Sequence, residues 1–222
     1  MPIGNKLGDM LLEMRDPNLS PQRQGEITRL LNELGDREEK YKAWLDIKGN
    51  VDWKYLNLPF YPIYSEVLAT DKASISIDVP QSYKHLIFFG SGRNTAAGTS
   101  AFVLAAQFNG DSGSNYIIQE IHGLGSTPSA DSGTLTQASI GVLANDGNPV
   151  GVSGSFYSFL PHYTGSFHKA VHFHFSYVSS GASIITLGRT VWGNTASISK
   201  ILLQSLSGSI KAGTVISIYG IK

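Results

Sequence analysis

From Ala73 onward the chain breaks into short alternating runs separated by Gly, Ser and Asn turns, with no interval that reads as a helix. That alternation restricts this part to an all-β architecture, because a period of two places one side of each run on a core and cannot be satisfied by a helix. The runs are "ASISIDV" (73–79), "HLIFFG" (85–90), "SAFVLAAQF" (100–108), "NYIIQEI" (115–121), "TLTQASI" (134–140), "SFYSFL" (155–160), "AVHFHFSYV" (170–178), "SIITLG" (183–188), "SISKILLQSL" (197–206) and "TVISIYGI" (214–221). Turn-rich tracts such as "NGDSGS" and "GLGSTPSADSG" stand between them. The expected fold is mainly β: a jelly-roll-like antiparallel β-sandwich over residues 73–222. The Gly-rich tract at 90–98 precedes no helical pattern, so it offers no helix N-terminus to cradle a phosphate.

Residues 1–50 have a different rhythm. Ile3, Leu7, Met10, Leu11 and Met14 follow one helical stripe, and Asp16-Pro17 stops it. Ser20-Pro21 restarts a helix, serine as N-cap and proline at the first helical position. Ile27, Leu30, Leu31, Leu34, Tyr41, Trp44 and Leu45 continue at helical spacing, and several fit heptad a and d positions with Arg37 interrupting. This segment reads as a helical anchor, either associating across subunits or folding back as an amphipathic helix. "VDWKYLNLPFYPIYSEV" opens an aromatic, proline-punctuated stretch over 51–72 that reads as an extended arm or linker.

Charge follows the same division. The 222 residues carry no net formal charge, but residues 80–222 hold only four acids (Asp111, Glu120, Asp131, Asp146) beside all six histidines. Neutrality gives no electrostatic footprint for nucleic acid. The absence of cysteine removes disulfides, thiolate metal sites and thiol nucleophiles. No stretch reaches the roughly 20 apolar residues that span a bilayer. The first residues lack the apolar core of a signal peptide, so a soluble protein made in a reducing cytosol is expected.

The chemistry-bearing feature is "HFH". On a strand, His172 and His174 leave one face while Phe173, Phe175 and Tyr177 leave the other. Two imidazoles on one face begin a metal site, as in the cupins, which are also jelly rolls. No carboxylate follows at cupin spacing and no histidine occurs after position 174, so a cupin-like metalloenzyme is the remote alternative. The plainer reading is that the pair lines an exposed or inter-subunit strand face. Asp111, Asp131 and Asp146 sit in turn sequences, which argues against a glycosidase pair, and no GxSxG elbow occurs. No enzyme is expected, and no cofactor beyond a structural metal. Tyr157, Tyr163, Trp192 and Arg93 fall near loops, where aromatic faces beside polar groups bind sugars, although for Trp192 a structural packing role fits at least as well and no binding residue is assigned.

"TVWGNTASISKILLQSLSGSIKAGTVISIYGIK" (190–222) resembles the C-terminal ending of many tailed-bacteriophage virion proteins, through Trp192, Thr195, Ala196, Ile198, Gly208, Gly213, Thr214, Ile218, Tyr219, Gly220 and Ile221. The likeness covers the β-rich part and hardly touches the first 70 residues. It implies a virion structural protein, often trimeric: a tail-fibre or receptor-binding attachment protein, or alternatively a capsid decoration (cement) protein or head fibre. It also implies a chain made in the bacterial host cytoplasm, contacts to other virion proteins through residues 1–72, and a host glycan or receptor as partner. Neither nucleic acid nor membrane is expected. On a trimer axis, three His172-x-His174 pairs offer six nitrogens to one octahedral metal, as in some phage fibres.

Overall fold

The computed structural model describes residues 19–33, 60–179 and 182–222. The Ile3–Met14 stripe, the heptad positions beyond Leu31 and the arm up to Pro59 lie outside the described residues. The chain divides into two compact units, Met1–Tyr61 and Pro62–Lys222. In the first, α1 (Pro21–Glu33) begins where the capping sequence places it. The Arg23 amide donates to Ser20 Oγ at 3.3 Å and the Gln24 amide to the Ser20 carbonyl at 3.0 Å, so serine satisfies two of the first free amides. Ile27 is its buried apolar residue. Among the described residues, no helix is long and apolar enough to cross a membrane.

The second unit is an antiparallel sandwich of two sheets. In chain order its strands are β1 (Tyr61–Val67), β2 (Ser74–Asp78), β3 (His85–Gly92), β4 (Ala101–Phe108), β5 (Tyr116–Leu124) and β6 (Thr127–Leu135). They continue with β7 (Ala138–Ala144), β8 (Gly154–Leu160), β9 (Lys169–Ser179), β10 (Ala182–Trp192), β11 (Lys200–Ser205) and β12 (Val215–Ile221). The large sheet runs β1-β12-β3-β8-β9-β10-β5-β6 and the small one β2-β11-β4-β7. The chain crosses between sheets at every connection except the β5–β6 hairpin and the β8–β9–β10 meander. This back-and-forth winding is that of a jelly roll, widened by the meander.

Alternation builds the core. Leu86 and Phe88 from β3, Leu104 and Phe108 from β4, Val171 and Phe173 from β9, Ile201 and Leu203 from β11, and Ile216 and Ile218 from β12 are all buried between the sheets. Burying each contributes about 1.5–3 kcal/mol relative to exposure. The small sheet ends at β7, whose free edge would leave backbone groups unpaired. Ser158 Oγ donates to the Ile140 carbonyl at 2.6 Å, and the Ser139 amide donates to Thr190 Oγ1 at 3.3 Å, so hydroxyls from β8 and β10 pair that edge.

Two strands were not legible as such. Residues 61–67 of the expected arm form β1, the edge strand beside β12. The tract "GLGSTPSADSG" contains most of β6, which is exposed along nearly its whole length and therefore shows no alternation. The ending at 190–222 closes both sheets through β11 and β12. Its turn depends on Gly208, at φ 66°, where a Cβ would stand 2.8 Å from the Ala96 nitrogen.

Candidate functional site

The antiparallel registers place His172 and His174 on the outer face of the large sheet. His172 lies between Phe159 of β8 and Arg189 of β10, and His174 between Tyr157 and Leu187. Phe173 and Phe175 point the other way, into the core, as the alternation predicts. None of these four neighbours is a carboxylate or imidazole, so within one chain the pair gains no third ligand from its flanking strands. The other histidines lie elsewhere. His85 and His162 meet edge to face at 4.7 Å, with the His162 amide donating to His85 Nδ1 at 3.1 Å, and His168 is an exposed residue before β9.

A different cluster assembles on β5 and β6. Glu120, His122 and Asp131 bring one ligand atom each within 4.8 Å of one another. Among the described residues it is the one such group of three or more. Glu120 stands opposite Asp131 in the β5–β6 register, and His122 Nε2 is 2.7 Å from Asp131 Oδ2. Burial and the neighbouring Asp131 hold the Glu120 carboxyl above the usual carboxylate range, with His122 opposing them. A one-imidazole, two-carboxylate set suits a divalent cation; the His122–Asp131 hydrogen bond equally accounts for the geometry without one. The sequence hid this group because Asp131 reads as a turn former, and only the register brings it to Glu120.

The half-buried Glu120 carboxyl, with Asp131 as a smaller contribution, gives a testable pH dependence. Because its carboxyl is raised, native Glu120 takes up its proton at a higher pH than the unfolded chain does, so its contribution favours folding as pH falls through that window. Glu120→Gln should therefore raise stability at neutral pH by about 0.5 kcal/mol and give no gain in acid, as read by urea unfolding at both pH values.

The aromatic sugar-binding candidates divide. Tyr163 and Trp192 are in the core, 0% and 1% exposed, and are closed to a ligand. Tyr157 is 42% exposed, but on the open sheet face instead of a loop. Arg93 is a structural hub: its guanidinium donates to the carbonyls of Asn145, Asp146, Asn148 and Pro149, tying the β7–β8 loop to the end of β3. The remaining acids are also committed. Asp111 accepts from the Trp192 indole at 2.7 Å, which with the Gly113 amide holds its carboxyl below the usual range. Asp146 is lowered by Lys211 and, less, by Arg93. Lys169, 1% exposed, donates to the carbonyls of Phe167 at 2.5 Å and Thr195 at 3.1 Å, and burial lowers its pKa.

What sequence reading missed is the face around the histidines. Phe89, Tyr157, His174, Leu187 and Ile121 form one register row across β3, β8, β9, β10 and β5. Apart from His174, each of these is at least 41% exposed. No protein-family model matches the chain, and no curated protein matches it.

Proposed function

We propose that the chain is a non-enzymatic structural component of a bacteriophage virion: a tail-fibre or receptor-binding attachment protein that assembles as a homotrimer. The observation that carries the reading is the ending at 190–222. Most of the residues that carry the likeness also close this sandwich: Trp192, Ile198, Thr214 and Ile218 are buried and Gly208 and Gly213 turn at positive φ, whereas Thr195 and Ala196 are exposed. The likeness thus falls mainly on fold-determining positions. The charge-poor β domain supports the same reading, since lateral packing of copies then desolvates few long charged side chains.

In this reading the residues before β1 hold the rest of the virion and the sandwich faces the host surface, a glycan or a protein receptor. The chain is made in the host cytoplasm and resides in the particle. A metal shared by three His172-x-His174 pairs is compatible with the assembly and not required by it. The test is immunogold labelling of phage particles whose genome encodes the chain, together with adsorption of those particles to host cells pre-incubated with the purified chain. Label at the tail and slowed adsorption are expected. Label over the capsid with unchanged adsorption replaces attachment by head decoration, and particles without label overturn the virion reading.

A further inference from the structure

An antiparallel sheet with one solvated face is normally apolar inward and polar outward. On β10 that order is reversed. Thr186 and Thr190 point inward and are buried, 3% and 0% exposed, whereas Ile185 and Leu187 point outward and are 46% and 48% exposed. The inward Thr190 is explained by the β7 edge it pairs. The outward Ile185 and Leu187 have no such account among the described residues. Neighbouring strands repeat the feature: Ile117 and Ile121 of β5, Tyr157 of β8 and Phe89 of β3 share the outward phase and are 41–59% exposed. A one-residue slip in register would turn these side chains inward, so the outward phase is a property of the fold.

We propose that the outer face of the large sheet is a self-association surface that seats a second copy of this chain, centred on the row Phe89–Tyr157–His174–Leu187–Ile121. The proposal rests on the reading of the chain as a self-assembling protein and names the surface that does it. The row crosses five strands, about 19 Å at ordinary strand spacing. Taking about 200 Å² for a large side chain, the six exposed apolar residues present on the order of 600 Å². With the interleaved Gln119, His172, His174 and Ser176, the face approaches the roughly 800 Å² that one partner contributes to a standard interface. Its charge content points to the same occupant. From β12 to β6 the outward register positions include one formally charged residue, Arg189, and no acid. A polyanion would need more cations and a basic partner would need acids, whereas a nearly neutral apolar face complements itself across a symmetry axis.

The test is sedimentation equilibrium on the full chain. Wild type should be oligomeric at tens of micromolar. Leu187→Glu and, separately, Ile121→Lys should each weaken association roughly 30-fold or more, because each buries a charge at the centre of the interface. Val150→Glu, on a fully exposed loop residue, should leave it unchanged. Both outer-face sites are about half exposed in the monomer, so far-UV circular dichroism should be unaltered. An oligomer that survives both substitutions overturns this surface while leaving self-assembly standing. A monomeric wild type overturns both.

Discussion

Trp192→Ala is expected to cost about 4 kcal/mol of unfolding free energy, in the range for deleting a buried aromatic ring. Trp192 is 1% exposed, with its ring 5.6 Å edge-on from Phe108 and 6.4 Å stacked on Tyr116. It is also the donor that organises the loop between β4 and β5. Its indole N–H donates to Asp111 Oδ2 at 2.7 Å, the Gly113 amide donates to Asp111 Oδ1 at 2.9 Å, and the Tyr116 hydroxyl donates to the Asp111 carbonyl at 3.0 Å. Removing the ring therefore opens a cavity and leaves a carboxylate short of a donor. Trp192→Phe keeps most of the apolar area and loses only the N–H, so about 1–1.5 kcal/mol is expected. Both variants also differ from wild type in acid. Asp111 is held below its ordinary pKa by Trp192, so its stabilisation is present above the unfolded-state pKa and lost as pH falls through the folded one. Without the indole N–H, the acid limb of the stability curve should flatten. If Trp192→Ala unfolds within 1 kcal/mol of wild type, the ring is peripheral and free for a ligand, and the structural assignment fails.

Gly154→Ala is the second large effect, about 3 kcal/mol. Gly154 opens β8 close against β7 of the other sheet, and a Cβ there would stand 2.3 Å from the Val142 carbonyl oxygen and 3.1 Å from the Leu143 Cα. Both obstacles are backbone of β7, already fixed by its pairing with β4, so neither can swing aside as a side-chain tip would. Gly133→Ala is the matched control. It lies on β6 with nothing within 4 Å of its Cβ position, and it should be neutral or stabilising by a few tenths of a kcal/mol, since a strand glycine has only entropy to recover. Equal effects at the two positions in denaturant titrations would mean that the sheets do not approach at Gly154 as described.

The contrast between these sites shows which parts of the fold were readable in the chain. Alternation located strands that bury one face: Phe173 and Phe175 fall inward and His172 and His174 outward as the period of two requires. It failed for β6, an edge strand exposed along nearly all its length, because a strand with no buried face has no binary pattern to read. Proximity to a Gly-rich tract misled for Tyr163, which fills the core, whereas the packing role weighed for Trp192 is the one the structure shows; the ends of strands and the turns after them share composition. Pairwise features were beyond alternation altogether. Glu120 meets Asp131 only through the β5–β6 register, and the row from Phe89 to Ile121 joins residues from five strands that no sequence window contains. A reversed pattern such as Ile185-Thr186-Leu187 is ambiguous until the inward phase is known.

The outer face is where fold and function meet in this account, and its burial between copies can be measured directly. The chain has no cysteine, so a single introduced thiol is an unambiguous probe. Ile121→Cys places it in the register row, and Val150→Cys places it on a fully exposed loop residue. Both proteins are treated with a maleimide at a concentration where wild type is oligomeric. Labelling at position 121 should be slower than at position 150 by roughly tenfold or more, and should recover on dilution below the dissociation constant. Equal rates at the two positions would contradict it, because the face would then be open to solvent in the assembled protein.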